Sequence, residues 1–279
     1  MTALGLAPLC RRSCDPQIQT HTLAKVRVAF IGKGGAGKSA LAGTFARLLA
    51  RKGEQVLVID SDPMPGLALS LGLPVTDAGI PDDATVERQE GEEGPRFKLR
   101  PGLSASDAIE RYAVSGPDGV CLLQFGKLRE HVGALMRSQH AFHQIRQEMP
   151  LDRWHLIGDL PGGTRQPFFG WARFASVMLV VIEPSEKGML SARRLARLSN
   201  DGEEAPAEIL AVVNKARHED DAARIEARTG LRVAVTVPWD EELADAERLG
   251  EAPIDAAPNS AAVQAIASLV NQLQTGVLP

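Results

Sequence analysis

The chain has 279 residues, 44% of them hydrophobic and 24% charged, with a formal net charge of −4. That length and balance suit one large core, and the mild acidity gives neither nucleic acid nor an anionic membrane a bulk electrostatic reason to bind. No apolar run approaches the roughly 18 residues that span a bilayer, and three cysteines make no disulfide framework, as expected of a cytoplasmic protein.

Residues 1–24 read as a flexible N-terminal extension. Its brief apolar start stops at Arg11-Arg12, without the hydrophobic segment and cleavage site of a secretory leader. Cys10 and Cys14 lie four apart there, and with no further ligands nearby they read as incidental thiols before a metal or redox pair. Residues 25–279 then read as a single domain. The apolar, β-branched run Val26-Arg27-Val28-Ala29-Phe30-Ile31 is a buried strand. It leads into Gly32-Lys33-Gly34-Gly35-Ala36-Gly37-Lys38-Ser39. Leu41, Phe45, Leu48 and Leu49 follow at helical spacing, and Arg51, Lys52 and Gly53 close the helix.

The octapeptide Gly32 to Ser39 fits G-x-x-x-x-G-K-[ST], the phosphate loop of nucleoside triphosphate-binding proteins. Phosphate oxygens must come close to main-chain nitrogens, and Gly34, Gly35 and Gly37 remove the side chains that would stop them. The backbone from Gly34 through Ala36 to Ala40 is therefore the expected phosphate cradle, with a helix opening at Lys38 and aiming its positive dipole end at the anion. Lys38 should reach the β- and γ-phosphates, and the Ser39 hydroxyl should ligate Mg²⁺.

Further along, Val56 to Ile59 is a buried strand ending in Asp60-Ser61-Asp62-Pro63. Residues from about 74 to 102 carry charge and turn residues and few apolar ones, so they read as a loop-rich, mobile surface insertion. Strands follow at Gly119–Phe125, Trp154–Gly158, Val177–Ile182, Ile209–Val213 and Val233–Val237. Helical patterns separate them at Lys127–Glu148, Lys187–Ser199, Asp220–Thr229 and Glu241–Gly250. Continuous apolar strands alternating with helices predict an α/β fold, a mainly parallel sheet with helices on both faces. Ligands of such sheets bind at the C-terminal strand ends, where Asp60, Asp62 and the aspartate of Asp159-Leu160-Pro161-Gly162-Gly163 fall. An apolar strand ending in aspartate is a Walker B pattern, whose carboxylate reaches Mg²⁺ through water.

Lys33, directly after the first glycine, distinguishes this loop from an ordinary phosphate loop. It resembles the deviant Walker A motif of the P-loop ATPase family holding partition (ParA) and septum-site-determining (MinD) ATPases, nitrogenase iron protein and nickel-insertion ATPases. The resemblance covers about Lys25 to the C-terminal helix. It implies ATP and Mg²⁺ as ligands and an ATP-dependent homodimer in which Lys33 crosses to the partner's nucleotide. Asp62 then orients the attacking water and helps hold Mg²⁺ through water, the Asp159 turn acts as a second switch, Asn214 contacts adenine, and the backbone at Pro238 lines its ring. Arg217 stands where guanine-specific relatives carry aspartate, which favours adenine. The family's usual asparagine four residues after Asp62 is replaced by Gly66.

Within the family the motifs around Asp60 to Pro63, Val120 to Lys127 and Val181 to Ser185 look closest to nickel-insertion ATPases of carbon-monoxide dehydrogenase maturation. Their Cys-x-Cys site is missing from Gly126 to Gly133, Cys121 reads as core, and His140 and His143, three apart on a helix, read as surface before metal ligands. The C-terminal helix, Ala261–Gln274, has no Lys or Arg, which argues against membrane targeting. Arg193, Arg194 and Arg197 leave nucleic acid as a disfavoured partner. The expected activity is that of a hydrolytic ATPase switch acting on an unidentified protein client. Alternatives are a nucleotide-gated scaffold with little turnover, and a small-molecule kinase or ligase of related fold.

Overall fold

The computed structural model describes residues 24–62, 66–75, 79–124, 132–162, 172–200 and 208–277. Cys10 and Cys14, Pro63, the segment 125–131 and Gly163 lie outside the described residues. In chain order the elements are β1 (Arg27–Gly32), α1 (Lys38–Arg51), β2 (Val56–Asp60), α2 (Leu67–Ser70), β3 (Thr85–Glu87), β4 (Phe97–Leu99), α3 (Ala105–Tyr112), β5 (Val114–Ser115) and β6 (Cys121–Gln124). They continue with α4 (Val132–Glu148), β7 (His155–Asp159), β8 (Val177–Ile182), α5 (Glu186–Asn200), β9 (Glu208–Ala216), α6 (Asp221–Thr229), β10 (Val233–Pro238), α7 (Glu241–Leu249), α8 (Pro253–Ala256) and α9 (Ala261–Thr275).

The strands form one eight-stranded sheet in the order β10-β9-β8-β1-β7-β2-β6-β5. Every pairing in it is parallel except β5 with β6. Successive side chains of a strand point to opposite faces, so β1 feeds two separate cores. Ala29 and Ile31 join Ile59, Leu123, Phe142 and Val180 on one face. Val28 and Phe30 join Phe45, Leu49, Leu179 and Ile266 under α1 and α9 on the other. Phe30 meets Phe45 edge to face at 5.7 Å between centroids, and burying each such ring stabilises by about 1.5–3 kcal/mol. Being covered on both sides, β2, β7 and β8 are buried at every position, which is why they read as unbroken apolar runs.

The segment 74–102 is more structured than its composition predicts. It holds the antiparallel hairpin β3–β4, whose Phe97 and Leu99 are buried while Lys98 faces out. The Leu99 N–H donates to the Gln144 side chain on α4 at 2.7 Å, fixing the hairpin to the body. The Arg137 guanidinium lies 4.6 Å from the centre of the Phe97 ring, and the His140 ring packs beside it. Among the described residues no group of three or more His, Cys, Asp or Glu could by itself hold a metal ion. No helix of the described residues is long and apolar enough to cross a membrane.

Candidate functional site

The functional side chains collect where β1, β7, β2, β8 and β9 end. β1 delivers the chain to Gly32, whose φ is 149° and whose added Cβ would stand 2.5 Å from the Val181 carbonyl on β8. The loop turns over itself through Ala36 N–H to Lys33 O at 3.2 Å. It enters α1 through Gly37, the N-cap, in the left-handed region at φ 89°. A side chain there would be strained and would collide with the Asn214 amide. The first N–H groups of α1 are thereby left facing the crevice, the arrangement that binds anions.

Lys38 is 8% exposed, and its ammonium rests 3.5 Å from the Lys33 carbonyl. The Lys33 side chain itself is exposed. The Ser39 hydroxyl donates to Asp159 Oδ2 at 2.5 Å, joining the phosphate loop to the end of β7. On the next strand Asp60 is paired with Asp159 in parallel register and is fully buried. Its Oδ1 accepts from the Asp62 N–H at 3.0 Å, which holds Asp62 in the same crevice. Asp159 Oδ1 and Asp60 Oδ2 are buried without a hydrogen-bond partner.

Electrostatics follow from this crowding. Burial raises the Asp159 carboxyl to about 6, against the Ser39 hydrogen bond and the Lys38 charge, with the Asp62 charge adding to the rise. Asp60 is pushed well above the usual carboxylate range by burial, and next by the charge of Asp159. Three carboxylates and one buried lysine thus share a site whose negative charge is under-compensated, and each buried oxygen without a partner is costly. The three carboxylates do not by themselves form a metal-holding group, but a divalent cation shared between the Ser39 hydroxyl and phosphate oxygens would offset their charge, so the donor set fits nucleotide-borne Mg²⁺.

A cleft of about 380 Å³ opens from the loop. One wall is Gly35, Gly37, Lys38, Ser39 and Ala40, a second is Gly66, Leu69 and Ser70, and a third is Glu247, Gly250 and Glu251, with Lys215 at its edge. The Asn214 amide is buried and donates to the Ala36 carbonyl at 2.8 Å, bracing the loop. Pro238 ends β10 beside Ala216 of β9. Neither Asn214 nor Pro238 lines the cleft, whereas Lys38 and Ser39 do. Two contributors escaped sequence reasoning. Lys215, in the left-handed region at φ 61°, donates to the Gly35 carbonyl at 3.1 Å and to Glu183 at 2.8 Å. Gly162 lies so near the loop that a Cβ on it would be 2.9 Å from the Gly34 nitrogen. A lysine directly after the asparagine, and a glycine in the Asp159 turn, were the available signals.

Residues 28–254 match the model of the CobQ/CobB/MinD/ParA nucleotide binding domain. The chain belongs to this family. Among similar relatives is an ATP-binding protein of Methanocaldococcus jannaschii, 32% identical over 242 residues that cover 81% of this chain and 90% of that one. The carbon monoxide dehydrogenase accessory protein CooC of Rhodospirillum rubrum is 26% identical, over 84% of this chain and 91% of its own length. The septum site-determining protein MinD of Pyrococcus horikoshii, solved in complex with Mg-ADP, superposes with a TM-score of 0.67 at 16% identity, covering 89% of this chain and 95% of that one. The MinD/ParA architecture of a mostly parallel P-loop sheet flanked by helices is therefore the fold of this chain.

Proposed function

We propose that this protein is an Mg²⁺-dependent ATPase that works as a switch, two copies closing on bound ATP and hydrolysis altering affinity for a protein client. The observation that carries the reading is the Ser39–Asp159 hydrogen bond beside two buried carboxylate oxygens that lack partners. It joins a phosphate loop to a cation-hungry strand end. The relatives support ATP as the nucleotide, since one is named an ATP-binding protein and another was solved with Mg-ADP.

Ser39 would hold Mg²⁺ directly, with Asp159 and Asp62 reaching it through water. Bound there, the ion supplies positive charge to the phosphate oxygens. Lys38, buried and held at the mouth of α1, neutralises charge that develops as the terminal phosphoryl group departs. The N–H groups from Gly34 to Ala40, apart from that of Ala36, which donates to the Lys33 carbonyl, hold the phosphates in line. Asp62 accepts a hydrogen bond from the attacking water and orients it. Lys33, exposed on the loop, is free of the fold's interior and extends to the nucleotide of a second copy.

ATP turnover of the wild type, Lys33→Ala and Asp62→Ala tests this. The expected result is Mg²⁺-dependent hydrolysis that falls at least tenfold in each variant, with sedimentation showing an ATP-dependent dimer. Undiminished turnover in both variants would sink the scheme. A dimer without turnover in the wild type would favour the nucleotide-gated scaffold.

A further inference from the structure

The three walls of the cleft come from distant parts of the chain, and one side chain ties them together from behind. Arg47, on α1 two turns beyond the phosphate loop, is 2% exposed. Its Nε donates to Asp118 at 2.6 Å, and its Nη1 donates to the Leu71 carbonyl at 2.8 Å. Its Nη1 and Nη2 fork onto the two oxygens of Asp255, both at 3.0 Å. Arg51, one turn further, repeats the pattern with Asp118 at 2.9 Å and Asp255 at 2.5 Å.

The placement of these partners matters. Leu71 directly follows α2, whose Leu69 and Ser70 make the second wall. Asp255 sits in α8, four residues beyond Glu251 of the third wall. Arg47 belongs to the helix that starts from the first wall. Contact is close throughout: a Cβ on Gly72, itself at φ 75°, would be 3.1 Å from Arg47 Nη1, and a Cβ on Gly43 would be 2.6 Å from that of Ser70. A buried guanidinium is costly unless its planar donors are all matched. Here the matching groups are drawn from the elements that surround the cleft. Asp118 is the exception, lying in the turn before β6 and lining no part of it.

We propose that Arg47 is a positioning residue that sets the width of the nucleotide cleft. It couples the α2 wall and the α7–α8 wall to the phosphate loop, so that a ligand held by one wall finds the others in place. This rests on the reading of the cleft as a nucleotide site. Arg47 touches no substrate and acts through Leu71 and Asp255.

The two aspartates separate positioning from mere stability, because each pairs with both Arg47 and Arg51 and only one leads to the cleft. Asp255→Asn and Asp118→Asn should lower the melting temperature by similar amounts. A fluorescent ADP analogue should bind about tenfold more weakly to Asp255→Asn, a change of roughly 1.4 kcal/mol, and within about twofold of wild type to Asp118→Asn. Asp255→Glu, which keeps the charge but lengthens the arm, should restore most of the melting temperature while binding the analogue about threefold more weakly than wild type. Equal weakening in Asp118→Asn and Asp255→Asn, or none in either, would overturn the coupling while leaving the nucleotide site intact. If Asp255→Asn does not fold, Asp255→Glu and Asp118→Asn still decide: a longer acid that shifts affinity while Asp118→Asn does not supports the coupling, and the reverse refutes it. A wild type that does not bind the analogue would overturn both readings together.

Discussion

The Asn214 amide donates to the Ala36 carbonyl at 2.8 Å and occupies the space that a Cβ on Gly37 would need. The phosphate loop is therefore shaped as much by the end of β9 as by its own glycines. Gly37→Ala should cost about 1–2 kcal/mol from its left-handed backbone plus the collision, and should abolish nucleotide binding. Asn214→Ala leaves a buried carbonyl short of a donor and should cost about 1–3 kcal/mol. Because the second change removes the obstacle met by the first, the double variant should lose less than the sum. Denaturant titration of the four proteins checks this; strict additivity would mean the two residues do not touch.

The pair Asp60 and Asp159 should make the site unstable for the sake of its ligand. Both carboxylates are buried, in register on neighbouring strands, and each has an oxygen without a partner. Asp159→Asn removes one charge, keeps the shape and still accepts from Ser39. The ligand-free protein should become more stable by about 1–3 kcal/mol, while Mg²⁺-dependent nucleotide affinity falls at least tenfold. Calorimetric melting with and without Mg²⁺ and ATP measures both, and a loss of stability in ligand-free Asp159→Asn would contradict the repulsion.

The same carboxyl gives a pH signature. Asp159 titrates near 6 in the fold against 3.8 for a free aspartate. Between those values the folded chain keeps a proton that the unfolded chain has released. Its contribution is full below about 3.8, is lost as pH rises through 6, and is bounded by about 3 kcal/mol. His155 works in the opposite direction. Its Nδ1 accepts from the Val26 N–H at 3.1 Å and its Nε2 lies 3.0 Å from Glu54. Burial lowers its pKa, with the Glu54 charge opposing, so its contribution is lost as the pH falls below 6.5. Melting of ligand-free wild type against Asp159→Asn should show a gap that is small at pH 4 and opens towards pH 7. His155→Gln should flatten the remaining acid-side fall.

Much of this was legible because short, β-branched apolar runs bounded by turn residues fit strands covered on both faces, and because the residues after them were Gly, Asp and Asn. Ser39, Asp62 and Asp159 were found by motif and are joined by the fold through the Ser39–Asp159 bond and the Asp62 contact to Asp60. The β3–β4 hairpin was hidden because it buries only Thr85, Phe97 and Leu99 among many charges. α3 starts from a capping box between Ser104 and Asp107 whose four-residue signature is short and common. The role of Asn214 as a brace could not be read at all. It depends on β9 lying one strand beyond β8, which brings together residues 178 apart. Lys215 and Arg47 were missed for the same reason, since lysine and arginine declare a partner only when the fold supplies one.

Lys215 offers a way to separate strain from positioning. Its backbone is left-handed at φ 61°, a conformation that costs a non-glycine residue about 1–2 kcal/mol. Its ammonium holds the Gly35 carbonyl at 3.1 Å while paired with Glu183 at 2.8 Å. Holding that carbonyl fixes the Gly35–Ala36 peptide, whose N–H donates to the Lys33 carbonyl, and so sets the turn of the phosphate loop. Lys215→Met keeps the strain and loses the tie; Lys215→Gly loses both. If the tie positions the loop, both variants should bind an ATP analogue about five- to tenfold more weakly, whereas only Lys215→Met should melt earlier than wild type. Glu183→Gln should show a smaller loss of affinity, since it loosens the ammonium without removing it. Isothermal titration beside thermal melting gives both quantities. Affinities that simply track melting temperature across the three variants would reduce Lys215 to a structural residue.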